Sequence, residues 1–245
     1  MFAIGVDPDL HTTAIAVLRC DLPVPVIFNA IIVRTPEKHK GRDAAREMTK
    51  ELSTVFDAIE RNIGESLVVG FAVEHQEIAY TAKAGGNPRD VMMLGPVSGA
   101  ALLALYALWP NCEAFLPSPS EWKGQVPKDI HQGRTLTRLG LKYERAGIKP
   151  GQCRVKENGR KREGWCYPVN PETCVPGVIV KKADWKHLSD AAGLALWAWD
   201  EATKARRRAA ALASTAPRVS VPAELPPGRS SRTAARRKPA APCRP

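Results

Sequence analysis

The chain has 245 residues and carries 36 Lys and Arg against 25 Asp and Glu, a net charge of +11, and its length suffices for one good core or a core plus an insertion. No stretch approaches the roughly 20 apolar residues that span a bilayer, and no basic segment followed by an apolar one opens the chain, so a soluble, cytoplasmic protein is expected, with no membrane partner. Eleven of the basic residues lie from Lys204 onward against a single acid, Glu224, so this tail carries +10 and residues 1–203 carry +1.

Met1 to Val6 is an apolar run with the character of a strand buried on both faces. It ends in Asp7-Pro8-Asp9, and a second apolar run follows from Thr12 to Leu18; strand, turn and strand make a hairpin. Val24 to Val33 is rich in β-branched residues and completes a meander, with Pro23 and Pro25 confining its start to a strand end or edge. Apolar residues at 44, 45, 48, 52, 55, 56, 59 and 63 predict a helix from Asp43 to Ile63.

Leu67 to Val73 is another buried-strand run, and it delivers a second carboxylate, Glu74, at its C-terminal end. A polar loop should follow from His75 to Gly86. Asn87-Pro88 then opens a helix that is apolar almost all round through Leu108, which Gly95-Pro96 should kink or divide. Cys112 to Leu116 is the expected fifth strand, Pro117 to Pro127 a proline-punctuated loop, and Lys128 to Leu139 a short helix bearing Arg134 and Arg138 one turn apart.

Residues 141–183 lack periodicity and hold Lys149, Arg154, Lys156, Arg160, Lys161 and Arg162. They read as a basic insertion with a hairpin around Asn158-Gly159. Asp184 caps a last helix from Trp185 to about Arg207, on which His187 and Asp190 share one face. At the first turn, the positive helix end should bias His187 toward its neutral form. The expected organisation is an α/β domain over residues 1–208 and a disordered basic tail over 209–245, too poor in apolar surface to fold and suited to nucleic acid. The six cysteines are scattered like reduced thiols, and Cys153, Cys166 and Cys174 lack the CxxC spacing of a zinc knuckle. His11 and His131 are expected on the surface, and His75 should point away from Glu74.

Two buried strands that end in Asp7 and Glu74, with His187 and Asp190 on a later helix, suit hard divalent cations, which prefer oxygen ligands. Two such ions roughly 3.5–4 Å apart clamp the attacking and leaving oxygens of a phosphoryl displacement. Ile4-Gly5-Val6-Asp7-Pro8, Ala72-Val73-Glu74 and His187-Leu188-Ser189-Asp190-Ala191-Ala192-Gly193-Leu194-Ala195, in that order, resemble the motifs of RuvC-like Holliday junction resolvases, in the RNase H/retroviral-integrase superfamily. The resemblance covers residues 1–140 and 184–200; the insertion and the tail look more like phage-type members, which would place the protein in the cytoplasm of an infected host or with the nucleoid.

The resemblance implies an RNase H-like mixed five-stranded sheet, a three-strand antiparallel meander plus two parallel strands, flanked by helices, with the insertion before the last helix. It also implies a metal-dependent endodeoxyribonuclease, a hydrolase of DNA recombination and repair that cleaves Holliday junctions or other branched DNA, leaving a 5′-phosphate and a 3′-hydroxyl. By position, Asp7, Glu74, His187 and Asp190 would be both catalytic and metal-binding, with Mg²⁺ as the ion and Mn²⁺ as its substitute. Lys123 and Lys128 match paired lysines that contact DNA, Tyr80 an aromatic that stacks on unpaired bases, and Arg134 and Arg138 join them as basic DNA-binding candidates. A homodimer is expected, since a junction has two symmetry-related scissile phosphates, with the helix from Val91 to Leu108 as its surface. No small-molecule cofactor is implied. A non-catalytic nucleic-acid-binding module of the same fold and an actin/Hsp70-like nucleotide-binding domain are the alternatives.

Overall fold

The computed structural model describes residues 1–36, 38–64, 66–75, 88–140, 152–157, 160–166, 179–180 and 185–215. Strands β1 (Phe2–Asp7), β2 (Thr12–Arg19) and β3 (Val26–Arg34) form the antiparallel meander, and helix α1 (Arg42–Ile63) follows it. Strand β4 (Val68–Val73) then returns parallel to β1, and after helix α2 (Pro88–Leu108) the three-residue β5 (Glu113–Phe115) pairs parallel with β4. The strand order is β3-β2-β1-β4-β5, the RNase H-like mixed sheet expected. Helices α3 (Pro119–Lys123) and α4 (Lys128–Arg138) come next, and helix α5 (Trp185–Thr215) closes the described chain.

Alternation along the strands sorts side chains by size. Ile4, Val6, Ile15, Val17, Phe71 and Val73 join Met48, Leu52 and Phe56 of α1 in one core layer, with Val97, Ala101 and Leu105 of α2. The opposite face of the same strands carries Ala3, Ala14 and Ala16, packed against Leu188, Ala191, Ala192 and Ala195 of α5 and Leu136 of α4. The small-residue face lets α5 lie unusually near the sheet. Gly5 marks the closest point, since a Cβ there would overlap the Ala191 carbonyl oxygen and the Ala195 amide nitrogen and would meet the Leu194 Cβ at 3.0 Å.

Several expectations change in detail. Helix α2 is not divided; Pro96 lies inside one continuous helix and is exposed, where water can take over the backbone bond it forfeits. Helix α5 runs past the expected end near Arg207 to Thr215, because Ala205 and Ala209 to Ala211 with the intervening arginines are strong helix formers. Residues 119–123, expected within a loop, form a short helix. In the 141–183 region, β6 (Gln152–Glu157), β7 (Arg160–Cys166) and β8 (Ile179–Val180) make a small sheet of their own. Glu157 pairs with Arg160, which gives the expected hairpin. Tyr80, all but His75 of the loop expected from His75 to Gly86, and residues 216–245 lie outside the described residues. No described helix is long and apolar enough to cross a membrane.

Gly5→Ala should therefore destabilise the fold by at least the usual overpacking penalty of about 1–3 kcal/mol, because backbone atoms on a helix cannot rotate out of the way. Urea unfolding of the variant checks it; a midpoint equal to wild type would contradict the close approach.

Candidate metal centre

The site is built where β1 and β4 end side by side. Val6 pairs with Val73, and the Glu74 amide donates to the Val6 carbonyl at 3.0 Å, so Asp7 and Glu74 emerge next to each other. By strand alternation both point to the α5 face. Helix α5, drawn in over the alanines and Gly5, brings His187 and Asp190 to the same corner. Asp7, Glu74 and Asp190 are all buried, Asp190 to 1% exposure.

Isolated buried carboxylates are costly, so each must find donors or cations. The His187 Nδ1 lies 3.1 Å from Asp7 Oδ2. The indole N–H of Trp122 donates to Glu74 Oε2 at 2.8 Å, and the Lys123 ammonium lies 3.1 Å from that same oxygen and 3.5 Å from Asp190 Oδ2. Lys128 reaches Asp190 Oδ2 at 2.6 Å, and the Gln132 amide donates to Asp190 Oδ1 at 3.1 Å and to the Lys186 carbonyl at 3.2 Å. Lys128 and Gln132 are one turn apart on α4, which puts both on the face turned to Asp190.

Short-range chemistry explains how α3 presents its two residues. Ser118 precedes Pro119 at the first helical position, and the Glu121 carboxylate accepts from the Ser118 amide at 2.7 Å, as in a capping box. Gly124 closes the helix with φ +63°. The His75 amide donates to the Pro117 carbonyl at 2.9 Å, which ties this segment to the end of β4. Trp122 is then seated against Gly193 of α5, where a Cβ would come within 2.7 Å of its ring. The His131 ring meets Trp122 edge-on at 4.8 Å between centroids.

The electrostatics follow from this packing. Burial, reinforced by the neighbouring Asp7 charge, raises the pKa of Glu74, while Lys123 and the Trp122 N–H pull it down. Burial alone would lower the Lys123 pKa, yet the combined attraction of Glu74, Asp190 and Asp7 carries it upward. The hydrogen bond to Asp7 raises the His187 pKa against its burial. That reverses the neutral bias expected from the helix end, because a carboxylate at hydrogen-bond distance outweighs the partial charge of a helix terminus. His131, expected at the surface, is half-buried beside Trp122; burial lowers its pKa, and its Nδ1 has no hydrogen-bond partner among the described residues.

The structure thus brings Asp7, Glu74, His187 and Asp190 to one corner with Lys123 and Lys128. Among the described residues, no three His, Cys, Asp or Glu side chains are grouped closely enough to hold an ion in common; Lys123 is interposed between Glu74 and Asp190. In donor chemistry the set fits a hard cation, since its buried carboxylate oxygens already hold cationic groups. Arg138 forms a two-point pair with Asp200 of α5, at 2.8 and 3.0 Å, while Arg134 is exposed. Trp122 and Gln132 were not found from the sequence. The Ser-Pro-Ser-Glu start of α3 was an available signal for the element, but nothing local announces that its tryptophan reaches Glu74, 48 residues earlier.

No protein-family model matches the chain, and no curated protein matches it. Among solved structures, it is similar to Thermus thermophilus RuvC in complex with a Holliday junction substrate, at 17% identity and a TM-score of 0.49, over 85% of this chain and 96% of that one. It is similar also to a second Thermus thermophilus RuvC structure, at 17% identity and a TM-score of 0.48, over 85% of this chain and 97% of that one.

In metal-free protein the His187 imidazole should titrate above 6.5, its ordinary value. A value raised in the folded state means that the pair's contribution to stability is fully present below the ordinary histidine pKa and fades as pH rises through the raised one. NMR titration of the ring checks this, and Asp7→Asn should bring the midpoint down. A midpoint indifferent to that substitution would remove Asp7 as the cause.

Proposed function

We propose that the chain is a metal-dependent, structure-specific endodeoxyribonuclease that cleaves Holliday junctions or other branched DNA. The observation that carries this reading is the convergence of three buried carboxylates and one imidazole, Asp7, Glu74, Asp190 and His187, from β1, the end of β4 and α5. A polar cluster of this density is expensive to bury, and hard-cation chemistry accounts for it. Asp7, Glu74, His187 and Asp190 would hold Mg²⁺, or Mn²⁺ in its place. Such ions, when held, supply Lewis acidity toward a phosphodiester and make water a stronger nucleophile near neutral pH.

The remaining roles fall to the chain's own residues. Trp122 orients the Glu74 carboxylate and Gln132 that of Asp190. His187, hydrogen-bonded to Asp7, is placed to hold or pass a proton at Nδ1. Lys128, whose side chain is 53% exposed, and the exposed Arg134 offer positive charge to phosphates, each of which releases counterions when neutralised. Arg138 is committed to Asp200 and serves mainly to tie α4 to α5. Tyr80 and the basic tail from residue 216 remain candidates for DNA contact. A non-catalytic nucleic-acid-binding module is the second reading, favoured by the ammonium lodged between Glu74 and Asp190.

Labelled four-way, three-way and linear duplexes incubated with protein and Mg²⁺ decide between the two. Asp7→Asn should abolish cleavage while retaining junction binding, since the basic surface is untouched. Full cleavage by purified Asp7→Asn protein, or none by wild type in Mg²⁺ and Mn²⁺, would end the nuclease assignment.

A homodimer is part of the same reading, because two equivalent sites suit a substrate with two related scissile phosphates. Helix α2 buries Val97, Ala101 and Leu105 but leaves Leu103 at 70% and Met92 at 62% exposure, with Tyr106 also exposed, and uncovered apolar surface of that kind favours association. Sedimentation at micromolar concentration should show twice the 26.7 kDa chain mass, and Leu103→Lys should return the monomer. A wild-type monomer would leave pairing only on DNA.

A further inference from the structure

The Lys123 ammonium occupies an unusual place for a basic side chain meant to meet DNA. Its side chain is 13% exposed, and the nitrogen stands between oxygens of two different acids, at 3.1 and 3.5 Å. It also lies 4.4 Å over the ring of Trp122. A divalent ion held by Glu74 and Asp190 would need the same carboxylate oxygens that the ammonium now contacts, and like charges sharing them would repel strongly in a partly desolvated site. The ammonium and a divalent ion therefore exclude one another.

We propose that Lys123 is a built-in counter-cation that closes the acidic corner in the metal-free protein and is expelled when a divalent cation binds. The inference rests on reading the corner as a cation site. The surrounding structure separates a fixed part from a movable one. Trp122 is buried, bonded to Glu74 and seated against Gly193, so it holds its place. Gly124 follows Lys123 directly, in the left-handed region with φ +63° and with nothing within 4 Å of where a Cβ would be. A glycine there lets the backbone turn at little steric cost, and a lysine side chain has rotamers enough to swing outward. Lys128 need not follow, since it is already half in solvent and approaches Asp190 from α4.

Mutual exclusion of two cations from one set of oxygens is direct competition, and it has two signatures. The first uses the unaltered full-length chain. Brief acetylation followed by peptide mass spectrometry, with chelator and then with excess Mg²⁺, should show Lys123 becoming several-fold more reactive in Mg²⁺, while the exposed Lys50 stays constant. The second is calorimetric: Lys123→Met, which removes the competing charge, should bind Mg²⁺ at least several-fold more tightly than wild type. The same variant should melt earlier than wild type in chelator but match it in saturating Mg²⁺, a loss of the difference that a plain packing role for Lys123 would not give. If wild type binds Mg²⁺ but Lys123 reactivity and the variant's affinity do not rise, the counter-cation is refuted and the cation site stands. If wild type binds neither Mg²⁺ nor Mn²⁺, both readings fall together. Should Lys123→Met fail to fold, the acetylation measurement on wild type still decides.

Discussion

The distance between helix α5 and the sheet governs everything else in this molecule. Glycine at position 5 and alanines at 3, 14 and 16 strip one face of the central strands down to backbone and methyl groups, and Ala191, Ala192 and Ala195 answer from the helix. Dispersion and hydrophobic gain per residue are small on such a face. The bulk of the core energy comes from the opposite layer, where Phe56, Met48 and Leu52 meet Ile4, Ile15 and Phe71. The thin layer trades burial for proximity. Only because α5 comes so near does His187 reach Asp7 at the end of β1 and Asp190 share the Lys123 ammonium with Glu74 at the end of β4.

Once the acids are assembled, their charge dictates the neighbourhood. Asp7, Glu74 and Asp190 cannot remain buried alone; His187 of α5 answers Asp7, and one continuous stretch, residues 122–132, answers the other two. It supplies an indole N–H, two ammoniums and an amide within 11 residues of sequence. Gly193 makes the indole's seat possible, so α5 sets both the acids and the space for the group that orients one of them. His131, packed edge-on against Trp122 with a buried ring nitrogen, belongs to the same layer of support.

Legibility in the sequence divides along the range of the interactions. Apolar runs and helical spacing are local properties, and they placed the five strands and helices α1 and α2 to within a few residues, while α5 runs eight residues past its expected end. Strand ends are local as well, which is why Asp7 and Glu74 could be read as neighbours of a shared edge. Trp122 and Gln132 could not, because their partners lie 48 and 58 residues away and no spacing rule connects them. His187 departs from its expected neutral bias because the helix end is visible in sequence, whereas the carboxylate 180 residues away is not. The polar corner was thus legible as a set of acids, but not as the closed network of donors that holds them.

That separation of 180 residues bears on how the protein comes into being. Residues of β1 leave the ribosome long before those of α5, and at about 5–20 residues per second the gap amounts to about 10–40 s. Throughout that interval the meander can form, but its alanine and glycine face has no cover and Asp7 has no imidazole beside it. A growing chain therefore has strands, turns and even most of its large-residue core before its acidic corner is complete. The corner comes into existence in a single late event, the docking of the last helix, so a chain that stops short of α5 holds Asp7 and Glu74 with neither His187 nor Asp190 beside them.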